Sequence, residues 1–266
     1  MSKLKWVIQN NLGLQSDAYR IVDFFDVLGV HWEHIPVIPF DNSPITGVDK
    51  EGITIFYGST GLTRRVYEMG DWKPGVFFNP YRFSFQALLN GFGDELLNAD
   101  SEVVSVGELL KRKYPKDEVL FCRPTEDTKI ITGELLYFDE IKKWQSRIEE
   151  PQDRLSYDTK VQIAKPKVIE MELRSFVVDG KVCTSSYYGH NKRNHKVEQL
   201  DVDFAEEMAK VYQPADVFTL DTCRLEDGTR KVVETNCFNS SGLYNSDIYK
   251  LVQDINTFLA AKYGEP

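Results

Sequence analysis

Two carboxylates and an amide near the C-terminal end of this 266-residue sequence have the spacing expected of a metal site. The dipeptide Asp227-Gly228 separates two apolar runs and predicts a two-residue hairpin turn. Such a turn places Asp221 opposite Glu234 on the partner strand. Side chains alternate between the faces of a strand, so Asn236 shares the face of Glu234. The sequence therefore predicts a polar patch of two acids and one amide.

Directly opposed carboxylates repel each other, and a shared proton, a nearby cation or splaying into water would relieve the repulsion. A divalent ion relieves it best, and Mg²⁺ favours carboxylate oxygens completed by water and substrate phosphates. The alternative is an exposed polar face with incidental acids. The same turn pairs Cys223 with Val232 and Thr219 with Asn236. The opposite, apolar face of this hairpin then carries Phe218, Leu220 and Val233.

A second Asp-Gly turn, Asp179-Gly180, predicts an earlier hairpin over residues 169–188. It pairs Val178 with Lys181, Arg174 with Ser185, and Glu172 with Tyr187. One face is apolar and is expected to pack on the core, whereas the other carries Glu170, Glu172 and Arg174. Charged residues on the outer face of an antiparallel sheet are also typical of plain solvation, so this hairpin alone leaves both interpretations open.

Basic residues that could hold phosphate lie upstream of these hairpins. Arg123 closes a predicted strand before Pro124, and Lys129 lies in the following loop, TEDTKIITG. A fixed guanidinium or ammonium group suits phosphate, although two surface charges are the simpler interpretation. Neither a Walker loop nor GxGxxG occurs. A second basic cluster follows the first hairpin and is either an anion contact or a solvated loop: Lys192, Arg193, His195 and Lys196.

Hydrophobic periodicity predicts an α/β chain. Alternating strands and helices in the first third favour a small parallel sheet. Its predicted strands are Leu4–Gln9, His31–Ile38, Ile53–Tyr57 and Val76–Phe78, and its helices are Asp17–Leu28, Leu62–Met69 and 81–97. From about residue 100 the pattern is of α+β character, with helices Val106–Tyr114 and Asp139–Ile148 and strands Val119–Arg123 and Ile130–Leu136.

Composition narrows the class of protein. The formal charge of −9 is opposite to the basic footprint of nucleic-acid binders, which disfavours nucleic acid as a partner. No apolar run has the length of a membrane helix, and the first ten residues do not form a signal peptide. The four cysteines include no CxxC pair, so we expect reduced, packed thiols in a cytoplasmic protein.

The order of these segments resembles the ATP-grasp superfamily. The matching text is VLFCRP with a trailing lysine, VQIAKP, MELRSFVVDGKV and FTLDTCRLEDGTRKVVETN, which together cover about residues 100–250. The chain departs from the usual pattern because Arg123 stands where lysine is common and TEDTKIITG replaces a glycine-rich lid loop. It is therefore similar to a divergent clade of phage and bacterial ATP-grasp proteins regarded as peptide or amino-acid ligases.

The resemblance implies a role for each matching residue. Magnesium would be held by Asp221, Glu234 and Asn236. ATP phosphates would be held by Arg123 and Lys129, the adenine hinge would be the backbone of Gln162, Ile163, Ala164 and Lys165, and Glu172 would hold the ribose. Arg174 and Arg193 would contact the γ-phosphate or an acyl phosphate. Residues 1–98 would form an N-terminal Rossmann-like lobe, and 99–266 the ATP-grasp domain, with its lid at about 105–160 and its core at about 161–266.

The implied activity is ATP- and Mg²⁺-dependent ligation of a carboxylate to an amine, with an amino acid or peptide as substrate, through an acyl phosphate. Positioning and charge neutralisation dominate phosphoryl transfer, so no protein nucleophile is required. Two alternatives share the nucleotide site: a phosphotransferase without an amine step, and a non-catalytic ATP-binding module. A nucleic-acid-modifying ligase is disfavoured by the acidic charge.

Overall fold

The computed structural model describes residues 4–13, 17–38, 43–115, 117–125, 130–131, 133–150, 152–189 and 195–264. The strands are β1 (Leu4–Gln9), β2 (His31–Ile35), β3 (Ile53–Tyr57), β4 (Lys73–Gly75), β5 (Glu102–Ser105), β6 (Val119–Pro124), β7 (Glu134–Tyr137), β8 (Lys160–Ala164), β9 (Ile169–Val178), β10 (Lys181–Tyr188), β11 (Val217–Leu225) and β12 (Arg230–Cys237). The helices are α1 (Asp17–Val22), α2 (Phe25–Leu28), α3 (Thr60–Met69), α4 (Phe85–Phe92), α5 (Val106–Lys111), α6 (Phe138–Lys142), α7 (Trp144–Ile148), α8 (Gln199–Val211) and α9 (Ile248–Tyr263).

The first sheet is parallel and has the strand order β2-β1-β3-β4. Its central strands, β1 and β3, are apolar almost throughout, as expected of strands covered on both faces. Helix α3 begins at the N-cap Ser59, whose side chain accepts a hydrogen bond from the Leu62 amide, and ends at the left-handed Gly70. The predicted parallel sheet is confirmed.

Two antiparallel sheets follow along the chain. The small sheet, with order β5-β8-β6-β7, comes from residues 102–164, and the central sheet, with order β10-β9-β11-β12, comes from residues 169–237. In the small sheet Arg123 pairs with Gln162, and in the central sheet Asp221 pairs with both Arg174 and Glu234. The two sheets therefore bring the four predicted polar segments toward one cleft.

The hydrophobic core continues from the first sheet into the central sheet. One face of the central sheet, with Phe176 and Val178, packs with β1, β3 and α9 around Phe238. The other face packs on α4 and α8, and its residues include Leu173 and Leu220. The small sheet has its own core against α5, α6 and α7. A division of the chain at residue 98 is not tested by this packing and stays a prediction.

Several predicted elements differ from the structure. The fourth parallel strand is Lys73–Gly75, and residues 76–78 are not strand. The predicted helix over 17–28 is interrupted between Val22 and Phe25, although it does end at the left-handed Gly29 as expected. Strand β5 was not predicted, and residues 85–92 alone form the helix expected over 81–97. These errors lie at element ends, where tertiary pairing overrides local pattern.

The register of the first hairpin was predicted wrongly beyond its turn. Asp179 and Gly180 both have positive φ, as a two-residue Asp-Gly turn requires, and Lys181 pairs with Val178. A bulge between Val182 and Thr184 then shifts the rest of the strand by one residue. Consequently Arg174 pairs with Ser186 instead of Ser185, and Glu172 pairs with Tyr188 instead of Tyr187.

In the second hairpin two deviations cancel. The Leu225 amide donates to Thr229 O, which makes a three-residue turn ending at the left-handed Gly228. This shift makes Cys223 pair with Lys231 instead of Val232. A bulge next to Asp221 restores the predicted pairing with Glu234 and that of Thr219 with Asn236. It also puts Val232, not Val233, into the apolar core.

Among the described residues, no helix is long and apolar enough to cross a membrane. All four cysteines are free thiols. Burial raises the pKa of Cys122 and of Cys223 to about 12, so both stay protonated at neutral pH.

Candidate active site

The centre of the candidate site is a buried ion pair between neighbouring strands. Arg174 on β9 donates from Nε to Asp221 Oδ1 at 2.8 Å and from Nη2 to Asp221 Oδ2 at 2.6 Å. The Asp221 side chain is fully buried and that of Arg174 is 9% exposed. Two parallel hydrogen bonds fix both groups in one geometry. The predicted solvated outer face is therefore wrong for Arg174.

Glu234 and Asn236 complete the cluster from β12. Asn236 Nδ2 donates to Glu234 Oε1 at 2.9 Å and to Asp221 Oδ2 at 3.3 Å. Arg123, from β6 of the small sheet, lies 2.6 Å through Nη1 from Glu234 Oε2. The structure thus brings Asp221, Glu234 and Asn236 together and places Arg123 against them. We call these four residues and Arg174 the charged cluster.

The pKa values in the charged cluster follow from burial and from the two guanidinium groups. Burial raises the pKa of Asp221, against the opposing effect of Arg174, and the charge of Glu234 adds to the rise. Burial also acts to raise the pKa of Glu234, but Arg123 and Asn236 outweigh it, so the net shift is downward. Glu234 is therefore the more firmly ionised carboxylate of the pair.

The donor set of the charged cluster fits a hard divalent cation. It offers two carboxylates and one amide, which are oxygen donors of the type that Mg²⁺ prefers. In the structure, two guanidinium groups already supply the two positive charges that such an ion would bring. A metal ion would therefore compete with arginine unless Arg123 were drawn away by another anion. Among the described residues, no group of three or more His, Cys, Asp or Glu side chains forms a metal site.

A cleft between the small and central sheets opens beside Glu234. It encloses about 1040 Å³ of space, open solvent included. Its apolar walls come from both sheets and from the segment before β5, and its polar rim contains Lys165, Lys167, Glu172 and Tyr188. A deep cleft with apolar walls and a few convergent polar groups is typical of small-molecule sites. The apolar residues along it are Leu97, Phe121, Leu135, Ile169 and Val233.

The predicted hinge residues differ in position. Gln162 and Ile163 lie in a central strand, where β5 and β6 pair with their backbone on both sides. Lys165 follows the strand and lines the cleft. Backbone contact with a base is therefore best placed at the strand end, at Ala164 and Lys165. The side chain of Gln162 instead faces a different pocket.

Other predicted contacts are only partly described. Glu172 lines the cleft, where the Tyr188 hydroxyl lies 3.4 Å from its Oε1. Lys129 and Arg193 lie outside the described residues, as does Lys192. His195 and Lys196 are exposed.

The loop after β12, residues 241–244, lies against Arg174 and was not predicted. Arg174 Nη1 donates to Gly242 O at 3.3 Å. The Tyr188 and Tyr244 rings stack 5.0 Å apart and 5° from parallel, with the Arg174 guanidinium 4.9 Å from the Tyr244 ring. Tyr244 has a φ of +48°, a conformation that costs a bulky residue energy unless its surroundings impose it.

Three side chains of the N-terminal part impose this loop conformation through its backbone. Asp17 Oδ2 accepts from the Leu243 amide at 2.8 Å. Arg20 donates to Tyr244 O at 2.6 Å and pairs with Asp17 at 2.5 Å. The Tyr57 hydroxyl donates to Ser241 O at 2.6 Å. The only sequence signal for this arrangement was the serine- and glycine-rich run that directly follows the triad.

Solved structures of low sequence identity share this fold. The ATP-grasp ligase PsnB, complexed with a minimal precursor, aligns with a TM-score of 0.57 and 12% identity over 97% of this chain and 99% of that one. The D-alanine–D-alanine ligase of Bacillus anthracis, complexed with ATP, aligns with a TM-score of 0.61 and 14% identity over 98% of both chains. The D-cycloserine synthetase DcsG gives 0.56 and 14% over 96% and 99%. No curated protein sequence is significantly similar to the chain.

The sequence signature of an ATP-grasp domain, the third family of its clade, matches residues 70–256. This match includes the small sheet, the central sheet and every residue of the charged cluster. Because it spans more than half of the chain, and because the fold agrees, the chain belongs to the ATP-grasp superfamily and to this family within it.

Proposed function

We propose that the protein is an ATP- and Mg²⁺-dependent ligase that joins a carboxylate to an amine. The observation that carries this proposal is the convergence of Asp221, Glu234 and Asn236 with Arg123 and Arg174 beside a large cleft. Solved relatives of the same fold include a D-alanine–D-alanine ligase with ATP and PsnB with a precursor, Mg and ADP.

The cleft between the sheets is the proposed nucleotide site. Its apolar walls, such as Phe121 and Ile169, would enclose a base, and Lys165 would meet the base edge at the strand end. Glu172 is placed to accept hydrogen bonds from ribose hydroxyl groups. The triphosphate would then extend toward Arg123 and the charged cluster.

The phosphate end of the site requires an exchange of partners. A triphosphate attracts Arg123, which releases Glu234. Glu234, Asp221 and Asn236 would then hold Mg²⁺, which when bound neutralises charge on the phosphates. Arg174 keeps its charge, because although burial acts to lower its pKa, the attraction and hydrogen bonds of Asp221 outweigh burial and raise it. It would stabilise charge that develops on the transferred phosphoryl group.

In the proposed reaction a substrate carboxylate oxygen attacks the γ-phosphorus and ADP leaves. An amine then attacks the acyl carbon of the acyl phosphate, and phosphate leaves as the amide forms. Arg174, fixed by Asp221 and covered by Tyr188 and Tyr244, is positioned for the first step. Binding and orientation supply most of the rate enhancement in such a site.

A screen of ATP turnover against amino acids and peptides, read by mass spectrometry, tests the proposal. The expected result is Mg²⁺-dependent ADP formation together with a product whose mass is that of the two substrates less one water. A phosphorylated acceptor or free acyl phosphate without an amide would instead identify a phosphotransferase. Mg²⁺-dependent ATP binding without turnover under any condition would identify a non-catalytic module.

A further inference from the structure

A second pocket lies next to the nucleotide cleft, and we call it the side pocket. It encloses about 500 Å³, open solvent included. The side pocket and the cleft share Asn98, Arg123 and Val233, whereas Glu234 lines the cleft and Asn236 lines the side pocket. A ligand in the side pocket would therefore approach the charged cluster from the side opposite to a nucleotide.

Two buried oxygens of side-pocket residues have no hydrogen-bond partner: Gln162 Oε1 and Thr235 Oγ1. The residues are 2% and 5% exposed, respectively. They come from different sheets, Gln162 from β8 and Thr235 from β12. An unsatisfied buried polar group costs about 1–3 kcal/mol, so two in one pocket indicate a bound species that donates hydrogen bonds.

The remaining lining selects against a cation. Most of the walls are apolar, which disfavours a charged amine because burial penalises the ionised form. Arg123 is the lining residue that carries a charge, and its guanidinium repels ammonium groups. Two acceptors in such a pocket suit an uncharged molecule with two donors. The apolar lining residues are Phe83, Phe85, Leu88, Leu96, Pro124 and Val233.

We propose that the side pocket binds the nucleophile of the ligation as a small, uncharged primary amine. This inference rests on the proposed ligase function. The two N–H bonds of the amine would donate to Gln162 Oε1 and Thr235 Oγ1, which leaves the nitrogen lone pair free. That lone pair attacks the acyl carbon, and a C–N bond forms as the C–O bond to phosphate breaks. Phosphate leaves with the electron pair, and the extra proton on nitrogen passes to water.

The test compares Thr235→Val with Thr54→Val, using methylamine as the amine. Thr54 Oγ1 is also buried and without a partner, but it lies on β3, outside the side pocket. Both substitutions remove an unsatisfied hydroxyl and should leave the fold at least as stable. Only Thr235→Val should raise the KM for methylamine, by about tenfold or more, because a hydrogen bond of about 1.4 kcal/mol is worth a factor of ten.

MgATP affinity and ADP formation before amine addition should be the same in both variants and the parent protein. The parent's KM for total methylamine should fall as the pH rises from about 8 to about 10, because the uncharged fraction grows. Equal KM values for methylamine in all three proteins would overturn the proposal and leave the side pocket with bound water alone.

A direct binding measurement separates this proposal from the ligase proposal. Saturation-transfer NMR of ¹³C-methylamine on the MgATP-loaded protein needs no carboxylate substrate. Binding that is lost in Thr235→Val but kept in Thr54→Val supports an amine site even if the substrate screen yields no amide. Methylamine binding that is absent, or identical in both variants, contradicts the inference whatever the screen finds.

Discussion

Arg174 and Asp221 face each other across β9 and β11 in register, and two hydrogen bonds of 2.8 and 2.6 Å join their side chains. This pair connects the electrostatics of the site to the stability of the fold. It orients Asp221 toward Asn236, and it holds Arg174 under the Tyr244 loop. Removal of either charge leaves the other buried without compensation.

Asp221→Ala should therefore lower the free energy of unfolding by about 3–5 kcal/mol in urea denaturation. Asp216→Ala is the matched control, since Asp216 pairs with Lys262 at 2.7 Å but both side chains are about 40% exposed. The control should lose less than about 1 kcal/mol. Equal losses for the two variants would show that burial of the Arg174 pair has no special weight.

Arg123→Gln should change metal and nucleotide affinity in opposite directions. The substitution frees Glu234 from its ion pair, so Mn²⁺ alone should bind more tightly than to the parent protein. ATP should bind more weakly, because a phosphate-binding guanidinium is lost. Electron paramagnetic resonance titration of Mn²⁺ and calorimetry of ATP measure the two affinities. A weaker affinity for Mn²⁺ would contradict the proposed exchange of partners.

Asp17→Ala should loosen the loop that covers Arg174. Its carboxylate holds the Leu243 amide and orients Arg20 toward Tyr244 O. A hydrogen bond to a charged group is worth about 1.5–3 kcal/mol, so amide exchange over residues 241–246 should rise at least about tenfold. The exposed Asp26, replaced by alanine, serves as control. Unchanged exchange in both proteins would rule out this role of Asp17.

Tyr187 should make the protein less stable in alkali. Burial, and its hydrogen bond to Asp201 at 2.6 Å, raise its pKa from 10.0 to about 12. Because the folded state favours the protonated phenol, this stability is fully present below pH 10 and is lost as the pH rises toward 12. The loss should reach about 2–3 kcal/mol.

Tyr187→Phe supplies the comparison for this pH effect. The variant should be less stable at pH 7, because Asp201 loses a donor, but its free energy of unfolding should fall less steeply between pH 10 and 12 than that of the parent. Parallel pH curves for the two proteins would contradict the raised pKa.

The sequence predicted the metal residues more accurately than the path of the backbone around them. Asp221 and Glu234 do pair, but only because the three-residue turn and the adjacent bulge shift the register in opposite directions. In the first hairpin one bulge stands alone, so the predicted partner of Arg174 was off by one residue. An Asp-Gly signal fixes where the chain turns, and packing along the strands decides where a bulge forms.

Long-range contacts account for the features that the sequence did not predict. Arg174 was placed on a polar outer face because alternation within one hairpin gives no information about the neighbouring β11. Asp17 contacts a loop more than 220 residues away, and neither segment has a pattern that names the other. Gln162 was predicted as a backbone contact, whereas its strand is paired on both sides and its side chain lines the side pocket.

The most direct test of the metal site is calorimetry of ATP binding to Glu234→Gln with and without Mg²⁺. The variant keeps the size of the side chain and removes its charge. We predict that Mg²⁺ strengthens ATP binding to the parent protein but has little effect in Glu234→Gln, whose Mg²⁺-dependent turnover is also lost. An undiminished effect of Mg²⁺ on ATP affinity in this variant would contradict the assignment of Asp221, Glu234 and Asn236 to the metal.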